Sequence, residues 1–165
     1  MDIRNIKISV KLEEISLDSA RRLLEKEQLS YKSYPSYITF KRQYNFVLYK
    51  TSKNKTNHLN ATGLKGMCDV DSCLKEIFDL LNKNVISYKI DNITATYNLS
   101  KLIRIDEVSK KIECAKYNAE RFPGMFVKCA DGCAIVFHSG KVVLLGCKNI
   151  SQLWNVVEFV RMNTQ

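Results

Sequence analysis

Catalytic and metal-binding side chains are the first to test in this chain, and they fail to assemble. Cys68-x4-Cys73 and Cys129-x3-Cys133 come nearest to ligand spacing, but His58 and His138 complete no zinc pattern with them. No Ser/His/Asp or Cys/His pairing and no Gly-rich phosphate loop is present, and Asp106 and Asp131 lack carboxylate partners. The expectation is a protein that is not an enzyme, uses no cofactor or metal, and keeps its six cysteines as free thiols. What stands out instead is aromatic placement. Phe122 opens the apolar run "FPGMFVKCA" and Phe137 closes "CAIVF", so both fall at strand ends.

These aromatics sit in a basic chain. Twenty-six Lys and Arg face 17 Asp and Glu, a net charge of +9, which points to a polyanionic partner. Residues 1–84 carry 15 basic and 10 acidic groups and residues 85–165 carry 11 and 7, so the excess belongs to both halves of the folded body. With 165 residues and 45% hydrophobic side chains, the chain can bury a core. The start, "MDIRNIKISVKLEE", has no continuous apolar stretch of the kind a signal peptide needs, and no run is long enough to span a bilayer. An intracellular protein without membrane contact is expected.

The elements that must position the aromatics occur twice. "RNIKISVKL" at 4–12 aligns with "DNITATYNL" at 91–99, "YPSYITFKR" at 34–42 with "FPGMFVKCA" at 122–130, and "ATGLK" at 61–65 with "LLGCK" at 144–148. The offset is 87 from Asn5 to Asn92, 88 from Tyr34 to Phe122 and from Tyr49 to Phe137, and 83 from Gly63 to Gly146. The slip marks an insertion at "KTSKNKTN", 50–57, opposite the short "HSG" at 138–140. Two repeats follow, 1–84 and 85–165, each reading as strand, helix, four strands, helix. Ile6, Ile8, Val10 and Leu12 alternate with polar residues, the period of a strand with one buried face. Helices are expected over about 17–28, with Leu17, Ala20, Leu23 and Leu24 inward, and over 69–83, with Leu74, Ile77, Phe78 and Leu81 inward. A third is expected over 150–161, with Leu153, Trp154, Val157 and Val160 inward. Asp131-Gly132 and Ser139-Gly140 provide hairpin turns. Sheets covered by helices on one side leave the other face free, and the aromatics belong there.

"YNAERFPGMFVK", "AIVFHSGKVVLLGCK" and "NITATYNL" resemble the second repeat of the TATA-box-binding protein core domain, and "NIKISVKL", "YPSYITFKR" and "ATGLK" resemble its first repeat more weakly. The resemblance runs from about residue 3 to about residue 162. It implies an α+β, TBP-like saddle: a ten-stranded curved antiparallel sheet with four helices on the convex face, built from two pseudo-symmetric repeats. The concave face would lie on the minor groove, with apolar wedges unstacking base steps and kinking the duplex. The family's wedge positions fall on Phe122 and Phe137, and on Tyr34 and Tyr49. Its two groove-reading asparagines fall on Asn5 and Asn92, where A·T pairs present only acceptors. Thr62 matches a groove-facing threonine, Val143 and Leu145 supply apolar contact, and Lys65, Arg121, Lys128, Lys141 and Lys148 stand where phosphates would be met.

Departures from the family pattern are concentrated in the first half. Lys7 and Thr94 replace small aliphatics beside the asparagines, and Asn60 stands at the position matching Val143. An asymmetric binder follows, gripping in the usual way with its second half. Asn118 and Glu120 match two acidic residues that help recruit transcription factor IIB, so one charge is missing and a cognate, divergent partner is expected. The implied function is that of a general transcription initiation factor. It would bind and bend A·T-rich double-stranded promoter DNA and recruit a TFIIB-like factor and RNA polymerase, as a monomer with internal pseudo-two-fold symmetry. Its expected location is the nucleus, or a cytoplasmic viral factory. The alternative is a protein-interaction module of the same fold with weak or no DNA binding, for which Lys7 and Asn60 argue.

Overall fold

The computed structural model describes residues 1–165. Ten strands and four helices divide between two compact units, one of residues 5–90 and one of residues 1–4 with 91–165.

In the first unit, β1 (Asp2–Glu13) leads through α1 (Leu17–Lys26) to β2 (Tyr31–Ser33), β3 (Tyr37–Lys41), β4 (Asn45–Tyr49) and β5 (Thr56–Leu64), and α2 (Cys68–Leu81) closes it. The strands run antiparallel in the order β2-β3-β4-β5-β1. Alternation along β1 puts Ile6, Ile8, Val10 and Leu12 in the core with Ile38, Phe40, Phe46, Leu48, Leu59 and Leu64. Ala20 and Leu24 of α1 and Ile77, Leu80 and Leu81 of α2 cover them. Ser16 caps α1 by accepting the Ser19 N–H at 3.0 Å. The inserted segment 50–57 joins β4 to β5. Its last residue, Asn57, is fully buried, accepts the Ile15 N–H at 2.8 Å and donates to the Tyr49 carbonyl at 2.9 Å, which fixes the end of β4.

The second unit repeats the order. β6 (Val85–Asn98) is followed by α3 (Ile105–Lys111), β7 (Ala115–Asn118), β8 (Phe122–Cys129), β9 (Gly132–Phe137), β10 (Lys141–Cys147) and α4 (Ile150–Asn163), with strand order β6-β10-β9-β8-β7. Ile93, Ala95, Met125, Val127, Ala134, Val136, Val142 and Leu144 face Leu153, Val156, Val157 and Val160 of α4. Asn149 caps α4 through the Gln152 N–H at 2.8 Å.

Two inward assignments are corrected. Phe78 is 45% exposed and Trp154 is 44% exposed. In α2 the buried stripe rotates to take in Val70, Cys73 and Glu76, whose Oε1 accepts the Gln43 N–H at 3.0 Å. In α4 the Trp154 ring lies edge-on to Tyr97, with centroids 6.1 Å apart, at the margin of the buried face. The repeat offset is also corrected along one strand pair. Ile38 and Phe40 are buried, as are Met125 and Val127, which sets the offset at 87 along β3 and β8, while β4 and β9 keep 88. An offset of 88 on β3 would turn its core residues to the open face.

Candidate nucleic-acid interface

The face away from the helices carries the side chains singled out in the sequence. Asn5 and Lys7 lie on β1 and Asn92 and Thr94 on β6, at half-buried positions alternating with core residues. Asn60 and Thr62 lie on β5, and Lys141, Val143 and Leu145 on β10. Tyr34 precedes β3, Tyr49 ends β4, Phe122 opens β8 and Phe137 ends β9. Lys65 and Lys148 follow β5 and β10 directly. Arg121 and Glu120 occupy the turn after Asn118, and Lys128 is near the end of β8. Lys65, Arg121, Lys128, Lys141 and Lys148 are all exposed, as are Asn118 and Glu120, where the Asn118 Oδ1 accepts the Glu120 N–H at 3.1 Å.

The two asparagines are held identically. In β5 the register slips between the pairs Ile6–Leu64 and Ile8–Ala61, a bulge that includes Gly63 at φ +94°. In β10 it slips between Leu144–Ala95 and Cys147–Ile93, a bulge that includes Gly146 at φ +79°. Each bulge glycine donates its N–H to an asparagine Oδ1, Gly63 to Asn5 and Gly146 to Asn92, both at 2.7 Å. Because an N–H can only donate, the oxygen of each amide must point to the bulge. The Nδ2 donors are thereby directed away from it, and that of Asn92 also reaches Thr94 Oγ1 at 3.3 Å. The same duplication recurs one turn on: the Lys65 N–H meets Asp69 Oδ2 and the Lys148 N–H meets Gln152 Oε1, both at 2.7 Å.

Aromatics gather around β3 and β4 in the first unit and around β8 and β9 in the second. Phe122 and Phe137 lie 5.9 Å apart at 62°, and Phe126 lies 5.3 Å from Phe122. In the first unit Tyr37 stacks on Tyr34 at 4.5 Å and tilts against Tyr49 at 5.9 Å. Tyr34, Tyr49, Phe122 and Phe126 are each about two-fifths exposed, outside the core. Tyr37 and Phe126 were not singled out in the sequence. The alternation of buried Ile38 and Phe40, and of Met125 and Val127, would have placed them on the open face. Ser9, Thr96, Val47 and Ile135 join them there: Ser9 and Val47 pair with Asn60, and Thr96 and Ile135 pair with Val143. The Ser9 hydroxyl donates to Asn60 Oδ1 at 3.1 Å, and Asn60 Nδ2 donates to the Tyr49 hydroxyl at 3.4 Å. Arg4 donates from Nε to Thr96 Oγ1 at 3.1 Å.

No group of three or more His, Cys, Asp or Glu side chains is arranged to hold a metal ion. Cys73 is pushed up to about 12 by burial, reinforced by Glu76 and Asp69, and Cys129 to about 11 by burial, reinforced by neighbouring cysteines.

Each unit thus carries an amide donor and exposed aromatics on strands that its helices leave uncovered. Residues 87–162 match the family described as transcription factor TFIID (or TATA-binding protein, TBP). The structure of Methanococcus jannaschii TBP matches 98% of this chain and 96% of its own with a TM-score of 0.83 at 22% identity, which establishes the fold. The TATA-box-binding protein of Pyrobaculum aerophilum is 36% identical over 73 residues, 43% of this chain and 37% of that protein. That of Methanococcus vannielii is 31% identical over 110 residues, 61% and 59% of the two chains. The matched stretches thus span 37% and 59% of these relatives' lengths. Residues 87–162 are thus similar to the TBP family, and the chain as a whole has the TBP fold. These relatives are archaeal, and they lend no support to the nuclear or viral-factory location expected from the sequence.

Proposed function

We propose that this protein is a TBP-like transcription initiation factor that binds A·T-rich promoter DNA through the minor groove and bends it. The observation that carries this reading is the repeated bulge-and-asparagine device. Two amides, 87 residues apart in sequence, are each held by the oxygen so that only donors are presented. In the minor groove, A·T pairs offer only acceptors, adenine N3 and thymine O2, whereas G·C adds a donor. A donor-only surface therefore favours A·T. Phe122 and Phe137 act as the wedge that opens a base step, with Val143 and Leu145 against sugars and base edges. Lys65, Arg121, Lys128, Lys141 and Lys148 contact phosphates, and Lys7, Asn60, Thr62 and Thr94 line the groove contact. The exposed turn with Asn118 and Glu120 receives a TFIIB-like factor, which in turn brings the RNA polymerase.

The test is fluorescence anisotropy on A·T-rich and G·C-rich duplexes across a salt series, comparing the parent with Asn5→Asp and Asn92→Asp. Aspartate still accepts the glycine N–H but offers no donor and adds negative charge toward the groove. Each substitution should leave the fold intact and lower A·T affinity by about tenfold or more. Equal, steeply salt-dependent binding of both duplexes by the parent and both variants would reduce the interaction to non-specific charge attraction.

A further inference from the structure

The two aromatic ends are built differently, and we propose that the protein unstacks a single base step, under Phe122 and Phe137, while the tyrosine end lies against stacked DNA as a hydrogen-bonding platform. This inference rests on the minor-groove reading above.

In the second unit the residue paired with Phe137 is Gly124. A Cβ there would stand 2.6 Å from Phe122 Cε1, 2.7 Å from Ile135 Cγ2 and 3.2 Å from Phe137 Cε1. The two rings therefore ride over bare backbone and meet each other directly, with Phe126 alongside. No polar atom is attached to this group, so its insertion between bases strips water only from hydrocarbon.

The corresponding position in the first unit, paired with Tyr49, is Tyr37. Its ring fills the space that Gly124 leaves open and contacts both Tyr34 and Tyr49. Neither outer ring can rise into a base step without parting from that stack. Tyr49 is further held by its hydroxyl, which accepts from Asn60 Nδ2, while Asn60 Oδ1 is satisfied by Ser9. With its lone pair engaged in this chain, the Tyr49 O–H is left to donate outward. Insertion would break the bond and bury the hydroxyl among bases, whereas lying flat lets it meet a groove acceptor. Only the phenylalanine end then requires a deformable step, so a pyrimidine–purine step matters at one end of the site alone.

Permanganate reactivity of unstacked thymines reads this directly, on an A·T-rich duplex with TA steps at both ends. Variants are first checked for native circular dichroism and melting. The parent complex should show one reactive step. Phe122→Ala/Phe137→Ala should lose it, and Tyr34→Ala/Tyr49→Ala should retain it while binding several-fold more weakly. Tyr49→Phe, which keeps the ring, should also retain the single step and weaken binding about two- to tenfold through the lost donor. Two reactive steps, the second abolished by Tyr34→Ala/Tyr49→Ala, would overturn this inference and leave the functional reading standing. A bound, A·T-selective complex without any reactive step would overturn it as well. Loss of A·T selectivity in the parent's anisotropy would instead remove the reading beneath it.

Discussion

An asparagine amide has an accepting end and a donating end, and a neighbouring N–H decides which one is left over. At Asn5 and Asn92 that neighbour is a glycine in a bulge, so the end left over on each is the donating Nδ2, which in Asn92 also gives one hydrogen bond to Thr94 Oγ1. Thiols show a second residue-scale consequence of environment. Burial raises Cys73 to about 12 and Cys129 to about 11, from an ordinary value of 9.0. A higher value leaves less thiolate at a given pH, most of all for Cys73. Timed alkylation of the native protein near pH 8, read by mass spectrometry, should label exposed Cys68 and Cys114 first, with Cys129 lagging and Cys73 protected until unfolding. Early labelling of Cys73 would mean that α2 does not pack as described.

At the scale of elements, turns decide how the aromatics are delivered. Gly140 sits at φ +81° between β9 and β10, its N–H bonded to the Phe137 carbonyl at 2.9 Å, and a Cβ there would collide with the Lys101 carbonyl oxygen. Gly140→Ala should destabilise the protein by about 1–3 kcal/mol through the left-handed backbone and the clash, measured by urea unfolding. A neutral result would show that the turn can adopt another conformation. Much at this scale was legible in the sequence. Strict alternation in "NIKISVKL", the Ser-Gly turn and the duplicated order of strands and helices each have a local cause that the residues state. Phe78 and Trp154 misled because a helix stripe several residues wide can rotate, and only the partner sheet decides which edge is wet. Tyr37 was missed for a different reason. Aligning "YPSY" to "FPGM" without a gap shifts the strand by one residue, and one residue exchanges the two faces. The asparagines were legible as a pair, but the bulge hydrogen bonds that orient them depend on residues 58 and 54 positions away.

For the whole molecule, duplication and charge act together. The net charge of +9 is divided almost evenly between the halves, which favours approach to a polyanion. No helix is long and apolar enough to cross a membrane. The wedge proposed for Phe122 and Phe137 should bend the duplex that it enters. End-to-end energy transfer on a doubly labelled A·T-rich duplex, saturated with the parent or with Phe122→Ala/Phe137→Ala, tests it most directly. The parent should shorten the end-to-end distance, and the folded double variant, at saturating concentration, should leave the duplex close to its free length. Equal shortening by both proteins would contradict the claim.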